Sequence, residues 1–306
     1  MSTFVVTFPG QVFDAGLLAS VLDPMRDEPL VQRLADLLGT DQWATLDATD
    51  ASIAGPCTLV AGLLTARRLV DRSKVGAAAG HSFGEITAVA YAGGLSDEDA
   101  LAIVRARGEV CRESNRARQG QMIAVMGLDL TEVDWIRRVA IAQAGGVLEF
   151  GGINDRSQFV LTGDKATVET ATAMLAEAQA LVVPLPIPGA FHSPIMHRGV
   201  PAFAEVVGAA PVAPLDFPVY STIDLKRHEH GQDFRELIVR ALVMPVRWRE
   251  VTEALRDDGF TTAVDAGPGE TLAKLGRRSK VLRFLDHSKL GEYGRQLAAT
   301  GTGGRA

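Results

Sequence analysis

An α/β fold with a large domain and a smaller inserted one is the architecture this sequence predicts, and three observations predict it. The chain has 306 residues, more than one hydrophobic core usually organises, so a second domain is expected beside the main one. Its composition is 47% hydrophobic but only 6% aromatic, with Ala, Val, Leu and Gly prominent, a mix suited to helices packed on a central, mainly parallel sheet. Strand-to-helix units are legible at 74–92 and again from 261, whereas 122–186 changes to short strands alternating with helices, the pattern of a small α+β insert. The large domain is therefore expected to comprise 1–121 and 187–306, and the small one 122–186.

The elements follow in chain order. Residues 4–8, Phe-Val-Val-Thr-Phe, read as a first strand that stops at Pro9-Gly10. A helical stretch is expected over 31–38, and another over 58–70, where Leu59, Leu63, Leu64 and Leu69 recur at helical spacing and Arg67, Arg68, Asp71 and Arg72 crowd the far end. The small residues of 74–79 form a strand and 85–92 an apolar helix, so Ser82 lies in the turn between them. Ser96 caps an acidic helix start, Asp97-Glu98-Asp99, and that helix is predicted to run to about Cys111. In the insert, strands are expected at 122–126, 159–162 and 181–185. The last unit is a strand at 261–264, the turn Gly267-Pro268-Gly269 and a helix from Glu270; the Gly-rich 300–306 reads as a frayed tail.

Bulk properties exclude several classes of function. A net charge of -6 and a pI near 5.6 offer no global basic field to a nucleic-acid backbone. No apolar run reaches membrane-spanning length, and the N-terminus lacks the cationic region of a secretory signal. The only cysteines, Cys57 and Cys111, sit in apolar helical stretches, which predicts buried thiols in the reducing cytoplasm.

The chemistry centres on Gly80-His81-Ser82-Phe83-Gly84. A serine hydroxyl needs a base to become a nucleophile, and a G-x-S-x-G turn between strand and helix projects that hydroxyl above the sheet edge. Chance produces the bare pentapeptide often; the flanking strand and helix are what select this one. Among six histidines, His81 adjoins Ser82 and is suited to supporting the turn or touching substrate. His197 has no distinguishing context, and His228 and His230 sit in a charged stretch that reads as a solvated loop without further metal ligands. His192, in the loop Pro188-Gly189-Ala190-Phe191-His192-Ser193-Pro194 after a strand, is a candidate base. His287 is the other, because Ser82, Asp265 and His287 follow the triad order of α/β-hydrolases, although no His-Gly-Gly-Gly oxyanion loop accompanies them.

Taken together, Phe8-Pro9-Gly10-Gln11, Gly80 to Glu85, Arg107-Gly108, Asn154, Ala190 to Pro194, Pro245-Val246-Arg247-Trp248 and Gly267-Pro268-Gly269 resemble, in order and spacing, the malonyl-CoA:acyl-carrier-protein transacylases and polyketide synthase acyltransferase domains. The resemblance spans nearly the whole chain. It implies a hydrolase-like large domain and a ferredoxin-like small one. It also implies a Ser82–His192 dyad, with His192 held by a backbone carbonyl near Arg247, and an oxyanion hole from the N–H groups of Gln11 and Phe83. Asn154, His81, Phe191 and Arg107 become substrate-contacting residues. An acyl-CoA is the implied donor and an acyl carrier protein the acceptor, with no metal or tightly bound cofactor. The protein is expected to act as a monomer, and Arg116 with Arg118, or Arg277, Arg278, Lys280 and Arg283, are basic clusters placed to steer an acidic carrier.

Arg107 also stands out without the resemblance. Ile103, Val104, Val110 and Cys111 define an apolar helix face, and Arg107 lies three or four residues from each, so an arginine is expected on a core-facing stripe. Such a guanidinium needs an anion, either an internal carboxylate or, as the resemblance implies, the free carboxylate of a malonyl-type acyl group. Two departures from the family pattern bear on the acyl group. Val12-Phe13-Asp14 replaces the usual Gly-Ser-Gln, and Gly55-Pro56 replaces a Gln-Pro pair, a change expected to enlarge the pocket. A larger or unusual acyl group, or hydrolysis of the thioester, stands as the alternative function.

Overall fold

The computed structural model describes residues 3–286, and His287 with the predicted tail lies outside them. The large domain is built on a six-stranded sheet of order β10-β9-β1-β2-β7-β8, from β1 (Phe4–Phe8), β2 (Val75–Gly80), β7 (Pro214–Tyr220), β8 (Arg227–His230), β9 (Thr262–Asp265) and β10 (Arg283–Asp286). All pairings are parallel except β7 with β8. The central strands β1, β2 and β9 are almost wholly buried, as their continuous small and β-branched composition requires. Helices α1 (Ala15–Leu22), α2 (Pro29–Leu38), α3 (Ala51–Leu69), α4 (Gly84–Tyr91), α5 (Asp97–Ala117), α8 (Val200–Ala209), α9 (Phe234–Arg240), α10 (Trp248–Asp257) and α11 (Thr271–Ser279) complete this domain.

The insert runs β3 (Gly120–Met126), α6 (Leu130–Ala144), β4 (Leu148–Asp155), β5 (Gln158–Asp164), α7 (Lys165–Glu177) and β6 (Leu181–Pro184). Its antiparallel sheet has the order β4-β5-β3-β6, the split β-α-β arrangement of a ferredoxin-like fold. Ile123, Val125, Phe159 and Leu161 face α6 and α7 and form its core with Val133, Ile136, Val168 and Leu175. The opposite sheet face, with Met122, Ala124, Gly152 and Val160, turns toward the large domain and lines the cleft between them. One backbone bridge closes that cleft: Val246 N–H donates to Gly151 O at 3.0 Å, and Ile153 N–H donates to Val246 O at 2.8 Å.

Several elements differ from expectation for physical reasons. Helix α3 starts at Ala51, not near Thr58, although Gly55-Pro56 reads as a breaker. Asp50 caps it by accepting from Ser52 N–H, and residues 54 to 66 are buried all round, so packing overrides local propensity. Helix α5 continues six residues past Cys111. Strand β4 was not foreseen, because Gly151-Gly152 reads as a turn; here glycine fits the small sheet against its neighbours, a Cβ at Gly151 meeting Thr162 Cγ2 at 3.1 Å. The 227–230 stretch is an edge strand and not a solvated loop, and His228 bonds Asp224 and Asp233 at 3.0–3.1 Å. Both cysteines are free and buried, and burial pushes each thiol up to about 12. Among the described residues no helix is long and apolar enough to cross a membrane.

Candidate active site

Strand β2 delivers the chain into a turn so tight that its glycines are obligatory. A Cβ at Gly80 would lie 2.0 Å from the Gly84 carbonyl carbon, and one at Gly84 would lie 2.2 Å from Phe8 O. The turn is pinned by His81 N–H donating to Phe8 O at 2.9 Å. Ser82 takes a left-handed backbone, φ 55°, a conformation that costs a non-glycine residue energy and is characteristic of a nucleophile elbow. Its hydroxyl lies 2.6 Å from His192 Nε2, across 110 residues of sequence.

His192 is also left-handed, φ 61°, in the loop after β6. Its backbone N–H donates to Leu242 O at 2.9 Å and its Nδ1–H to Met244 O at 3.0 Å. Because a carbonyl only accepts, Nδ1 carries the proton and Nε2 is left to accept from Ser82, the tautomer a general base requires. The expected supporting carbonyl near Arg247 is thus Met244's. Pro245 ends the turn of 240–244 and leaves the Met244 carbonyl free of a helical partner, while Arg247 donates its own N–H to Thr222 O at 3.2 Å and pairs its side chain with Glu250 at 2.7 Å. Burial first, and then the positive charge of Arg107, push His192 down to about 3; the Met244 bond opposes both.

The Asp265 carboxylate, the acid of the alternative triad order, accepts from Leu272 N–H at 2.9 Å and Ala273 N–H at 3.0 Å and so caps α11, while His287 lies outside the described residues. Among the described residues no group of three His, Cys, Asp or Glu side chains gathers as a metal site would need.

The dyad opens into a cavity of about 620 Å³ between the domains. Gln11, His81, Phe83, Arg107, Asn154 and Phe191 all line it. The N–H groups of Gln11, just after β1, and Phe83, at the N-terminus of α4, donate to no described protein acceptor, so both are available to an oxyanion beside Ser82. His81 Nε2 meets Asn154 Oδ1 at 2.8 Å, joining the elbow to the small domain, and its ring packs edge-on to Trp248. Burial lowers the His81 pKa, and the Asn154 bond opposes the shift.

Arg107 is buried, and its guanidinium stacks on Phe191 with 4.5 Å to the ring centroid. No described carboxylate pairs with it, which removes the internal ion pair as its explanation. Burial lowers its pKa to about 10, so it remains a cation at neutral pH. Val12, Phe13 and Asp14 line the cavity, with Asp14 capping α1 through Leu17 N–H at 2.9 Å. Gly55 itself does not line the cavity, but a Cβ there would meet Val104 Cγ1 at 3.0 Å, Phe83 Cε2 at 3.7 Å and Gln11 Oε1 at 3.9 Å, so it packs directly behind two residues that do.

Residues 71–283 match the model of the acyl transferase domain, a span that includes both members of the dyad and Arg107. The chain belongs to the acyl transferase domain family. This acyltransferase is 30% identical over 293 residues to the malonyl CoA-acyl carrier protein transacylase of Haemophilus influenzae, covering 91% of this chain and 92% of that protein. It superimposes on the acyl-carrier-protein S-malonyltransferase of Burkholderia pseudomallei with a TM-score of 0.84 and 28% identity, covering 95% of this chain and 99% of that one. A type II polyketide malonyl-transacylase, solved in complex with its holo acyl-carrier protein, matches with a TM-score of 0.81 and 26% identity over 93% of this chain and 96% of that one.

Of the basic clusters in this acyltransferase, Arg118 pairs with Asp164 and Arg277 with Glu270 at 2.9 Å. Arg278 reaches Met126 Sδ of the small domain at 3.3 Å. Thr271 and Leu275, on the helix α11 that also carries Arg277 and Arg278, line the cavity. Two contributors carry no signal in composition or periodicity: the Met244 carbonyl, which any residue could supply, and the corner Ser221-Thr222 that receives Glu85. The clue to the second was Glu85 itself, an acid within an apolar helix.

Proposed function

We propose that this acyltransferase moves a malonyl group from malonyl-CoA through Ser82 to the phosphopantetheine thiol of an acyl carrier protein. The observation that carries the choice of acyl group is Arg107, a buried guanidinium with no carboxylate partner among the described residues, in the same cavity as the dyad. Its planar fork, held flat by Phe191, suits two parallel hydrogen bonds to a free carboxylate.

In the first half-reaction Ser82 Oγ attacks the thioester carbonyl as its proton passes to His192 Nε2. The N–H groups of Gln11 and Phe83 hold the resulting oxyanion. The C–S bond then breaks, and the proton on Nε2 goes to the departing CoA sulfur, leaving malonyl-Ser82. In the second half the carrier thiol gives its proton to Nε2 and attacks the ester carbonyl, and Ser82 leaves with that proton. The malonyl carboxylate does more than bind: by neutralising Arg107 it removes a charge that depresses His192, so the base strengthens when the proper donor arrives.

The protons in this sequence come from the Ser82 hydroxyl and the carrier thiol and pass through His192, so the steps call on no resident cofactor, and the enzyme works as a monomer in the cytoplasm, a setting that two free buried thiols support. The exposed cations of α11 receive the acidic carrier at the cavity mouth. Arg107→Ala tests the acyl choice. It is expected to lower kcat/KM for malonyl-CoA by at least about a hundredfold, the usual cost of removing one partner of a buried charge pair, while acetyl-CoA turnover is kept or gained. Equal loss for both donors would make Arg107 structural.

A further inference from the structure

The sequence motif at the elbow ends in an acid that the mechanism leaves unused. Glu85 lies in the first turn of α4, three residues after Ser82, and is buried. Its carboxylate accepts three hydrogen bonds: Oε1 from Ser221 Oγ at 2.8 Å, and Oε2 from Thr222 N–H at 2.9 Å and Thr222 Oγ1 at 2.8 Å. Thr222 in turn offers its carbonyl to Arg247 N–H at 3.2 Å. Arg247 ends a segment that does three things: Leu242 O holds the His192 backbone, Met244 O holds the His192 ring, and Val246 bonds β4, which carries Asn154.

We propose that Glu85 is a positioning residue for the base: by gripping Ser221-Thr222 it fixes segment 242–247, and with it His192, relative to the helix that begins at Ser82. The need is geometric. Ser82 and His192 come from loops 110 residues apart, both in left-handed backbones, and a small rotation of the 242–247 segment would withdraw the Met244 carbonyl and free the wrong tautomer. A carboxylate suits the position because all three groups facing it donate. Burial raises its pKa and the three bonds oppose that, with Asp224 raising it further; an apolar side chain there would leave the three buried donors without their acceptor. Around His192 the corresponding charged and titratable groups are Arg107 and His81.

The proposal rests on the Ser82–His192 dyad and not on the identity of the acyl group. Its test is Glu85→Gln, which keeps shape but turns one acceptor into a donor, with Thr222→Val as a second variant should the first fail to fold. Val133→Ala, in the small-domain core, serves as a control of comparable thermal destabilisation. Ser82 acylation is followed with malonyl-CoA and, separately, with p-nitrophenyl acetate, so that failure of the malonyl reading alone still leaves the dyad measurable. Glu85→Gln is expected to lower kcat about tenfold with KM nearly unchanged, and to move the acid limb of acylation up toward pH 6.5 as a loosened His192 ring gains solvent. Val133→Ala should leave that limb in place. An acid limb and kcat unchanged in both Glu85→Gln and Thr222→Val, with only their melting temperatures lowered, would overturn the proposal and make Glu85 a purely structural group.

Discussion

In the proposed mechanism His192 serves as the base, and three influences act on its ring. Met244 fixes the tautomer, burial keeps the imidazole neutral, and Arg107 adds a positive charge that disfavours a second proton. Since the folded-state pKa is pushed to about 3, the acid limb of Ser82 acylation should lie well below the ordinary 6.5, and a pH series of acylation rates measures this directly. Stability follows the same linkage. His81 and His192 both have folded pKa values below that of the unfolded chain, so below about pH 6.5 the unfolded state binds the extra protons and the melting temperature should fall. At this scale the serine was legible from its turn, and Arg107 from its place on an apolar stripe. Choosing His192 over His287 by residue chemistry alone was not possible, because loop position and triad order are both compatible with a base. The structure adds the 2.6 Å approach of His192 Nε2 to the Ser82 hydroxyl, a tertiary contact across 110 residues that no local pattern encodes.

Among the elements, the strand–elbow–helix unit is the least tolerant of change. Gly80→Ala or Gly84→Ala drives a methyl group into backbone, with no flexible side chain to give way, and should cost about 3 kcal/mol or more, read as loss of soluble protein or a large drop in denaturant midpoint. Elements with strong local signals were legible: β1, β2, α4 and the start of α5 follow from alternation, small residues and the Ser96 cap. Those that depend on tertiary packing were not. Helix α3 overrides Gly55-Pro56 because it is buried on every side, and β4 runs through Gly151-Gly152 because a sheet neighbour and the cleft both need small residues there.

For the whole molecule, activity depends on two sheets facing one cleft. The large domain contributes Ser82, His192, Gln11, Phe83 and Arg107 to its lining, and the small domain contributes Asn154 and an apolar sheet face; Val246 and the His81–Asn154 bond join the two. Reversing Arg278 and Lys280, the exposed cations at the C-terminal end of α11, to Glu is expected to raise KM for the carrier about tenfold, with a weaker salt dependence, while the rate of Ser82 acylation at saturating malonyl-CoA stays as it is. The most direct test of the central claim is intact-mass analysis of the enzyme after malonyl-CoA, followed by addition of holo carrier protein. One malonyl group should appear on the wild type and on His287→Ala, be absent from Ser82→Ala and His192→Ala, and pass to the carrier when it is added. A malonyl adduct on Ser82→Ala, labelling that survives His192→Ala but not His287→Ala, or free malonate in place of a labelled carrier would contradict the account.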